Sequence, residues 1–220
     1  MNLEKLAQLE DTIKATDHYD FTDIYNFINN LYQNCRTVDD DIIKKLMQFE
    51  DNTKNNFLMW CCKRPHLQPF ILWLIDNYGY HSKIDLINHS GNTVLLIACS
   101  TKMSDVVVKL IDKYGVECKI DHVNADGVTA LMWACKCKLP VAVKLIDEYS
   151  AYCNIGHVNK CGETALIVAC AYYWPEIALK MIDKFGKQCD FDQVSGHGYS
   201  AASYAKQNEM SDVLWRLTTA

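Results

Sequence analysis

Three stretches of this chain repeat one pattern at a nearly constant distance. They are Asn92–Cys99 (NTVLLIAC), Val128–Cys135 (VTALMWAC) and Glu163–Cys170 (ETALIVAC). Leu95 lies 36 residues before Leu131, and Leu131 lies 35 before Leu166. A fixed period of this size builds a stack of supersecondary units, because one unit cannot bury its apolar face alone. Most of the chain is therefore scaffold, and function is expected on a surface that the repeats share.

A second pattern keeps constant phase with the first. It reads Leu74–Gly79, Leu110–Gly115, Leu145–Ser150 and Met181–Gly186. These are expected ends of amphipathic helices, with Gly79, Gly115 and Gly186 in the left-handed conformation that stops a helix. Ser150 requires a different stop. Pro69, Pro140 and Pro175 mark the starts of these helices, where a missing N–H is tolerated. Ser104-Asp105 and Ser211-Asp212 stand at the same phase and are expected to cap. A third pattern joins the units: Ser82–Asn88, Cys118–Asn124, Cys153–Asn159 and Cys189–Ser195. Its β-branched alternation predicts extended chain, followed by turns at Gly91, Gly127, Gly162 and Gly198.

Helix, turn, helix and finger resemble the ankyrin repeat, whose core reads T-P-L-H-x-A over about 33 residues. The chain carries Thr93–Ala98, Thr129–Ala134 and Thr164–Ala169. It departs from the family at the proline position (Val94, Ala130, Ala165) and at the histidine position (Leu96, Met132, Ile167). In the family that histidine ties neighbouring loops, so its loss implies a more apolar join. The Ala-Cys endings and long fingers are similar to ankyrin arrays encoded by giant DNA viruses of amoebae. The resemblance implies an all-α repeat solenoid with β-hairpin-like fingers, elongated and in one domain. Residues 51–220 divide into about five repeats, at 51–86, 87–122, 123–157, 158–193 and 194–220. Residues 1–50 are expected to form a helical cap. There Leu31, Cys35, Asp41, Ile42, Ile43 and Leu46 run 64 residues ahead of Leu95, Cys99, Asp105, Val106, Val107 and Leu110. The short distance from Leu46 to Leu58 predicts no full finger after that cap. Residues 2–16 read as a further helix.

Composition narrows the functions available. The net charge of −5 provides no electrostatic case for nucleic acid. Lys63-Arg64 and Lys136 with Lys138 read as solvated helix ends. No apolar run reaches membrane-spanning length, and Met1–Lys5 lacks the apolar core of a secretory signal. The eleven cysteines mostly obey the period. Cys62, Cys99, Cys135 and Cys170 share one phase, and Cys118, Cys153 and Cys189 another. Equivalent positions in stacked helices lie roughly 10 Å apart, beyond disulfide reach. They are expected to be small buried side chains in a reducing, cytoplasmic compartment, that of the host if the chain is viral. Cys137 and Cys161 fall off the period and are expected at the surface. No zinc spacing, phosphate loop or nucleophile motif is present. Neither enzyme activity nor a metal or cofactor is expected. Trp174, beside Tyr172 and Tyr173, reads as an exposed aromatic.

Positions that refuse to repeat are those the fold leaves free. By resemblance, the contact positions flank the turn glycine and follow the first-helix core. They are His89, Ser90, Asn92 and Ser100; then Ala125, Asp126, Val128 and Lys136; then Lys160, Cys161, Glu163 and Tyr172; then His197 and Tyr199. The expected function is binding of a protein partner through a concave face of finger tips and first helices, by a monomer. An alternative, also by resemblance, is recruitment of a target to a ubiquitin ligase. With the last repeat running to Ala220, its expected seat is the amino-terminal helices. The register itself is testable. Leu131→Ala should lower the unfolding free energy by about 2–5 kcal/mol in urea titration; a shift near zero would undo the repeat alignment.

Overall fold

The computed structural model describes residues 40–48 and 50–219. It opens with α1 (Asp40–Met47). Five helix pairs follow: α2 (Phe57–Cys62) with α3 (Gln68–Tyr78), α4 (Val94–Ser100) with α5 (Ser104–Tyr114), α6 (Ala130–Cys137) with α7 (Val141–Glu148), α8 (Ala165–Ala171) with α9 (Pro175–Phe185), and α10 (Ala201–Gln207) with α11 (Ser211–Thr219). First helices stack on first helices and second helices on second helices along the chain. Leu58, Leu95, Leu131 and Leu166 are buried in the first row, and Leu74, Leu110, Leu145 and Met181 in the second, within one continuous apolar core. α1 packs on α2 and α3, with Ile43 and Leu46 buried. The expected helix over 2–16 and the positions Leu31 and Cys35 lie outside the described residues.

Each first helix begins at a side-chain hydroxyl or amide, buried in all but the last. The side chains of Thr93, Thr129 and Thr164 accept from Leu96, Met132 and Ile167 N–H, at 3.3, 3.2 and 3.3 Å. Asn56 does the same for Met59 at 2.9 Å, and Ser200 for Ser203 at 3.2 Å. Threonine recurs because the N-cap oxygen satisfies an orphan helix donor without solvent.

The starts and stops of the second helices differ from expectation. Ser104 is the first residue of α5, and its N-cap Met103 makes no side-chain cap. Asp105 instead takes a hydrogen bond from Gln68 Nε2 at 2.8 Å. Gly115 and Gly186 have φ of 52° with ψ of −127° and −130°, outside the left-handed helical well. Gly79 has right-handed values, φ −57° and ψ −30°; a Cβ there would collide with the Tyr114 hydroxyl of the next repeat. α7, without a glycine, stops after eight residues, and a 3₁₀ turn over Ser150–Tyr152 follows.

The third pattern is not strand. Leu86, His122, His157 and Gln193 N–H donate to the carbonyls of Lys83, Lys119, Asn154 and Asp190, closing a turn in each unit. Lys119, Asn154 and Asp190 sit at positive φ, a conformation that interrupts the alternation predicted from side-chain type. Isolated bridges, Glu50 to Asn56 and Val194 to Ser200, are the β pairing among the described residues.

The fingers themselves are hairpin turns, each built on one polar residue that is buried or half-buried. Asn88 Oδ1 accepts from Ser90 and Asn92 N–H at 3.0 and 2.8 Å. Asn124 holds Asp126 and Val128 at 3.0 and 2.8 Å, and Asn159 holds Cys161 and Glu163 at 2.9 Å each. A finger also precedes α2, where none was expected to be complete. Asp51 Oδ1 accepts from Thr53 and Asn55 N–H at 2.8 Å each, and Lys54, at φ 58°, stands where the others have glycine. Burial alone would raise the Asp51 carboxyl, but side-chain and backbone hydrogen bonds from Asn55 and Thr53 outweigh it and hold it below its ordinary value.

Two predictions follow from this architecture. Gly127 has φ 77°, and a Cβ there would lie 2.9 Å from Asn159 Cα of the next finger, whereas Gly198 at φ 81° faces open space. Gly198→Ala should cost about 1–2 kcal/mol of left-handed strain. Gly127→Ala should cost a further 1–3 kcal/mol, roughly, for overpacking; equal losses in thermal melts would remove the close approach from the account. For Asp51, the folded carboxyl titrates below the unfolded value of 3.8, so its contribution is present above that pH and lost as pH falls through the folded value. Asp51→Asn should therefore differ from the wild type more at about pH 6 than at about pH 3 in urea unfolding. A constant difference would show that the finger is indifferent to this charge.

Candidate binding surface

The finger tips form a continuous backbone ladder. His89 N–H donates to Thr53 O at 2.9 Å, Ala125 to Ser90 at 3.1 Å, Lys160 to Asp126 at 3.0 Å and Gly196 to Cys161 at 2.7 Å. Side chains tie the finger bases as well. Asn88 Nδ2 donates to Asn55 Oδ1 at 2.8 Å, and Asn124 Nδ2 to Asn92 Oδ1 at 2.9 Å. His122 Nε2 lies 2.7 Å from Gly91 O, and Gln193 Nε2 donates to Gly162 O at 2.9 Å. The join between repeats is thus polar at the fingers, correcting the apolar join inferred from the missing family histidine. Asparagine, histidine and glutamine at the finger base carry the polar contacts instead.

The nominated positions separate into two groups. His89, Ser90, Ala125, Asp126, Lys160, Cys161 and His197 are exposed on or beside the finger tips, as is Tyr199 in the last finger. Lys136 and Tyr172 come together below them, with the Lys136 ammonium 5.9 Å from the Tyr172 ring and 5.1 Å from the Trp133 ring. Tyr172 and Tyr199 are each 43% exposed, and Tyr199 packs on Tyr204 at a centroid distance of 5.1 Å. The second group is tied inward. Asn92 accepts from Asn124, Ser100 Oγ donates to Ile97 O at 2.8 Å, and Glu163 accepts from Asn159 Nδ2 at 3.0 Å. Val128 is half-buried and packs against the core.

Further exposed residues share the turn between paired helices. Lys102, Lys138, Tyr173 and Glu209 all have positive φ there. Their mismatch at one phase meets the criterion used for the fingers, although the sequence reading takes Lys138 as a solvated helix end and Trp174 as the exposed aromatic of this turn. Trp174 is half-buried against the core, because its backbone N–H bonds Ala169 O and turns the residue inward. The exposed tryptophan is Trp215, at 61%, on the outer face of α11.

The cysteines follow their phases. Cys62, Cys99, Cys135 and Cys170 are buried on first helices. The thiols of Cys118, Cys153 and Cys189 donate to Gly115, Leu145 and Met181 carbonyls near the ends of the second helices, and Ser82 Oγ makes the corresponding bond to Gly79 O at 2.9 Å. Burial pushes the Cys62, Cys118, Cys153, Cys170 and Cys189 thiols up to about 12. Thiolate chemistry near neutral pH is closed to these groups. Cys161 is exposed, as expected. Cys137 is only half-buried, and burial raises its thiol against the opposing pull of Lys102 and Lys136. Among the described residues no cluster of three metal-ligating side chains forms, and no helix is long and apolar enough to cross a membrane.

Comparison with known proteins agrees with this geometry. Residues 58–156 match the family model for ankyrin repeats, in three copies. The solved structure of a predatory endopeptidase from Bdellovibrio bacteriovorus in complex with an immunity protein contains a chain similar to this one. The two are 22% identical, with 97% of this chain and 96% of that chain covered, at a TM-score of 0.60. That likeness speaks to fold alone. No match is found among curated proteins. Residues 58–156 thus consist of ankyrin repeats, and the fold of the described residues is an all-α repeat solenoid.

Proposed function

We propose that this chain binds a partner protein through its finger tips and the neighbouring ends of its first helices. The observation that carries this reading is the backbone ladder from Thr53 to Gly196. It fixes successive tips edge to edge while leaving their side chains in solvent. A rigid row with varied side chains lowers the ordering cost of binding. The side chains available are mixed: imidazoles at His89 and His197, charges at Asp126 and Lys160, and aromatic rings at Tyr172 and Tyr199. Exposed aromatics beside charges suit a protein interface, where a few residues carry most of the energy. Asn92, Ser100 and Glu163, held by internal hydrogen bonds, shape this surface more than they contact a partner.

The reading is tested by removing aromatic contact without touching the stack. Tyr172→Ala combined with Tyr199→Ala should leave the melting curve nearly unchanged, since neither ring belongs to the buried core. Side-by-side affinity capture from the native cell, followed by mass spectrometry, should find a protein retained by the wild type and lost by the double variant. Equal recovery of every captured protein by both forms would overturn the assignment of the surface.

A further inference from the structure

Two sets of cations among the described residues are used differently. Those on the second helices are used by the stack: Lys109 pairs with Asp76 at 2.6 Å, Lys144 with Asp112 at 2.9 Å, Lys180 with Asp147 at 2.8 Å and Arg216 with Asp183 at 2.6 Å. Those at the turns between paired helices are not. Lys63, Lys102, Lys136 and Lys138 are exposed, and none forms an ion pair within the described residues. They also share one edge. Lys102, Lys138, Tyr173 and Glu209 each donate their backbone N–H to the carbonyl three residues earlier, those of Cys99, Cys135, Cys170 and Lys206. The following residues, Met103, Leu139, Trp174 and Met210, likewise bond Ala98, Ala134, Ala169 and Ala205. One turn geometry therefore recurs with different side chains.

Along this edge the charge changes sign. The first three repeats present Lys63, Lys102, Lys136 and Lys138, whereas Arg64 is half-buried over the Trp60 ring and donates to Trp60 O at 2.9 Å. The fourth presents Tyr172 and Tyr173, with the Lys138 ammonium 5.5 Å from the Tyr173 ring. Glu176, Glu209 and Asp212 are exposed beyond them. Two carboxylates keep their charge beside the basic stretch, Asp105 hydrogen-bonded by Gln68 and Asp51 hydrogen-bonded within its own finger and attracting Lys63. In a chain of net charge −5 this is a concentrated positive face.

We propose that this edge docks a short, extended acidic segment of the partner protein. The inference rests on the protein-binding reading above and adds the chemistry of the partner. Stacked helices are spaced roughly 8–10 Å apart. An extended chain rises about 3.3 Å per residue, so carboxylates at every third residue, or about 10 Å, match successive repeats. The tyrosines close the basic stretch and offer ring faces to the end of the segment. A long polyanion such as nucleic acid meets Glu176, Glu209 and Asp212 as it continues, and is repelled.

The test uses a fluorescein-labelled nonapeptide with glutamate at every third residue and glycine between, titrated against the full chain by anisotropy. Its lysine counterpart and a 12-nucleotide single-stranded DNA serve as comparisons. The acidic peptide should bind saturably, more weakly as salt rises, and roughly tenfold more weakly to Lys102→Glu with Lys138→Glu. Lys102→Gln with Lys138→Gln should give a smaller loss in the same direction and serves where charge reversal disturbs the melt. Tyr199→Ala, on the finger surface, should bind the peptide as the wild type does. Absence of saturation, indifference to both lysine pairs, or DNA binding as tight as the peptide would overturn the proposal. Those outcomes leave the finger tips untouched, because the tips are judged by partner capture with Tyr199→Ala alone, a residue outside this edge.

Discussion

The stack depends on a polar side chain at the base of each finger, a buried amide at Asn88 and Asn124. Asn88 and Asn124 each use Oδ1 to hold two amides of their own turn and Nδ2 to reach the preceding finger. A buried polar group costs free energy unless its hydrogen bonds are made. A finger built this way is satisfied only with its neighbour in register. That requirement aligns the first helices that follow, so Leu95, Leu131 and Leu166 meet as one core. The fourth unit departs: Asn159 Nδ2 turns to Glu163 of its own finger. Its tie to the preceding repeat then falls to the backbone bond from Lys160 to Asp126.

On the opposite side the second helices are stitched by charge. Asp76, Asp112, Asp147 and Asp183 each receive a cation from the next repeat. Exposed pairs of this kind contribute little individually, and their value lies in registry along the row. The lysine that follows the aspartate has a second use. Lys113 reaches the carbonyls of Ile75 and Asp76, and Lys184 those of Ile146 and Asp147. A cation there meets the negative end of the neighbouring helix. Glu148 stands at that phase in the third unit and takes Lys144 instead. One recurring stretch of sequence thus encodes a helix end, an ion pair and a cap for the helix before it.

What the sequence made legible was whatever burial forces to repeat. Leucines and alanines of the first helices, and the cysteines, recur because a stacked layer tolerates little change in volume. The finger at Asp51–Asn55 was hidden because a carboxylate replaces asparagine and Lys54 replaces glycine, although the hydrogen bonds are the same. The segments after the second helices looked like strand because Ile84, Ile120 and Val123 have strand-forming side chains. Turns closed from Leu86 to Lys83 and from His122 to Lys119, the second with Lys119 at positive φ, overrode that preference. Trp174 looked exposed beside Tyr172 and Tyr173, yet the turn bond from its N–H to Ala169 O sets it against the core.

Variation between repeats locates a candidate surface, but it does so through two different causes. Asn92 and Glu163 occupy one phase and differ, yet both serve as acceptors for a finger-base asparagine, one from the next repeat and one from its own. Their difference records two ways of satisfying the same buried amide. Lys102, Lys138, Tyr173 and Glu209 also differ at one phase, and there the backbone hydrogen bonds are the same while the side chains lie in solvent. Only the second kind of difference is free of the fold. Sequence comparison within the chain cannot separate the two, because both appear as a position that refuses to repeat. The hydrogen-bond partner separates them, and it moves the weight of recognition from residues beside the finger bases toward the tips and the helix-turn edge.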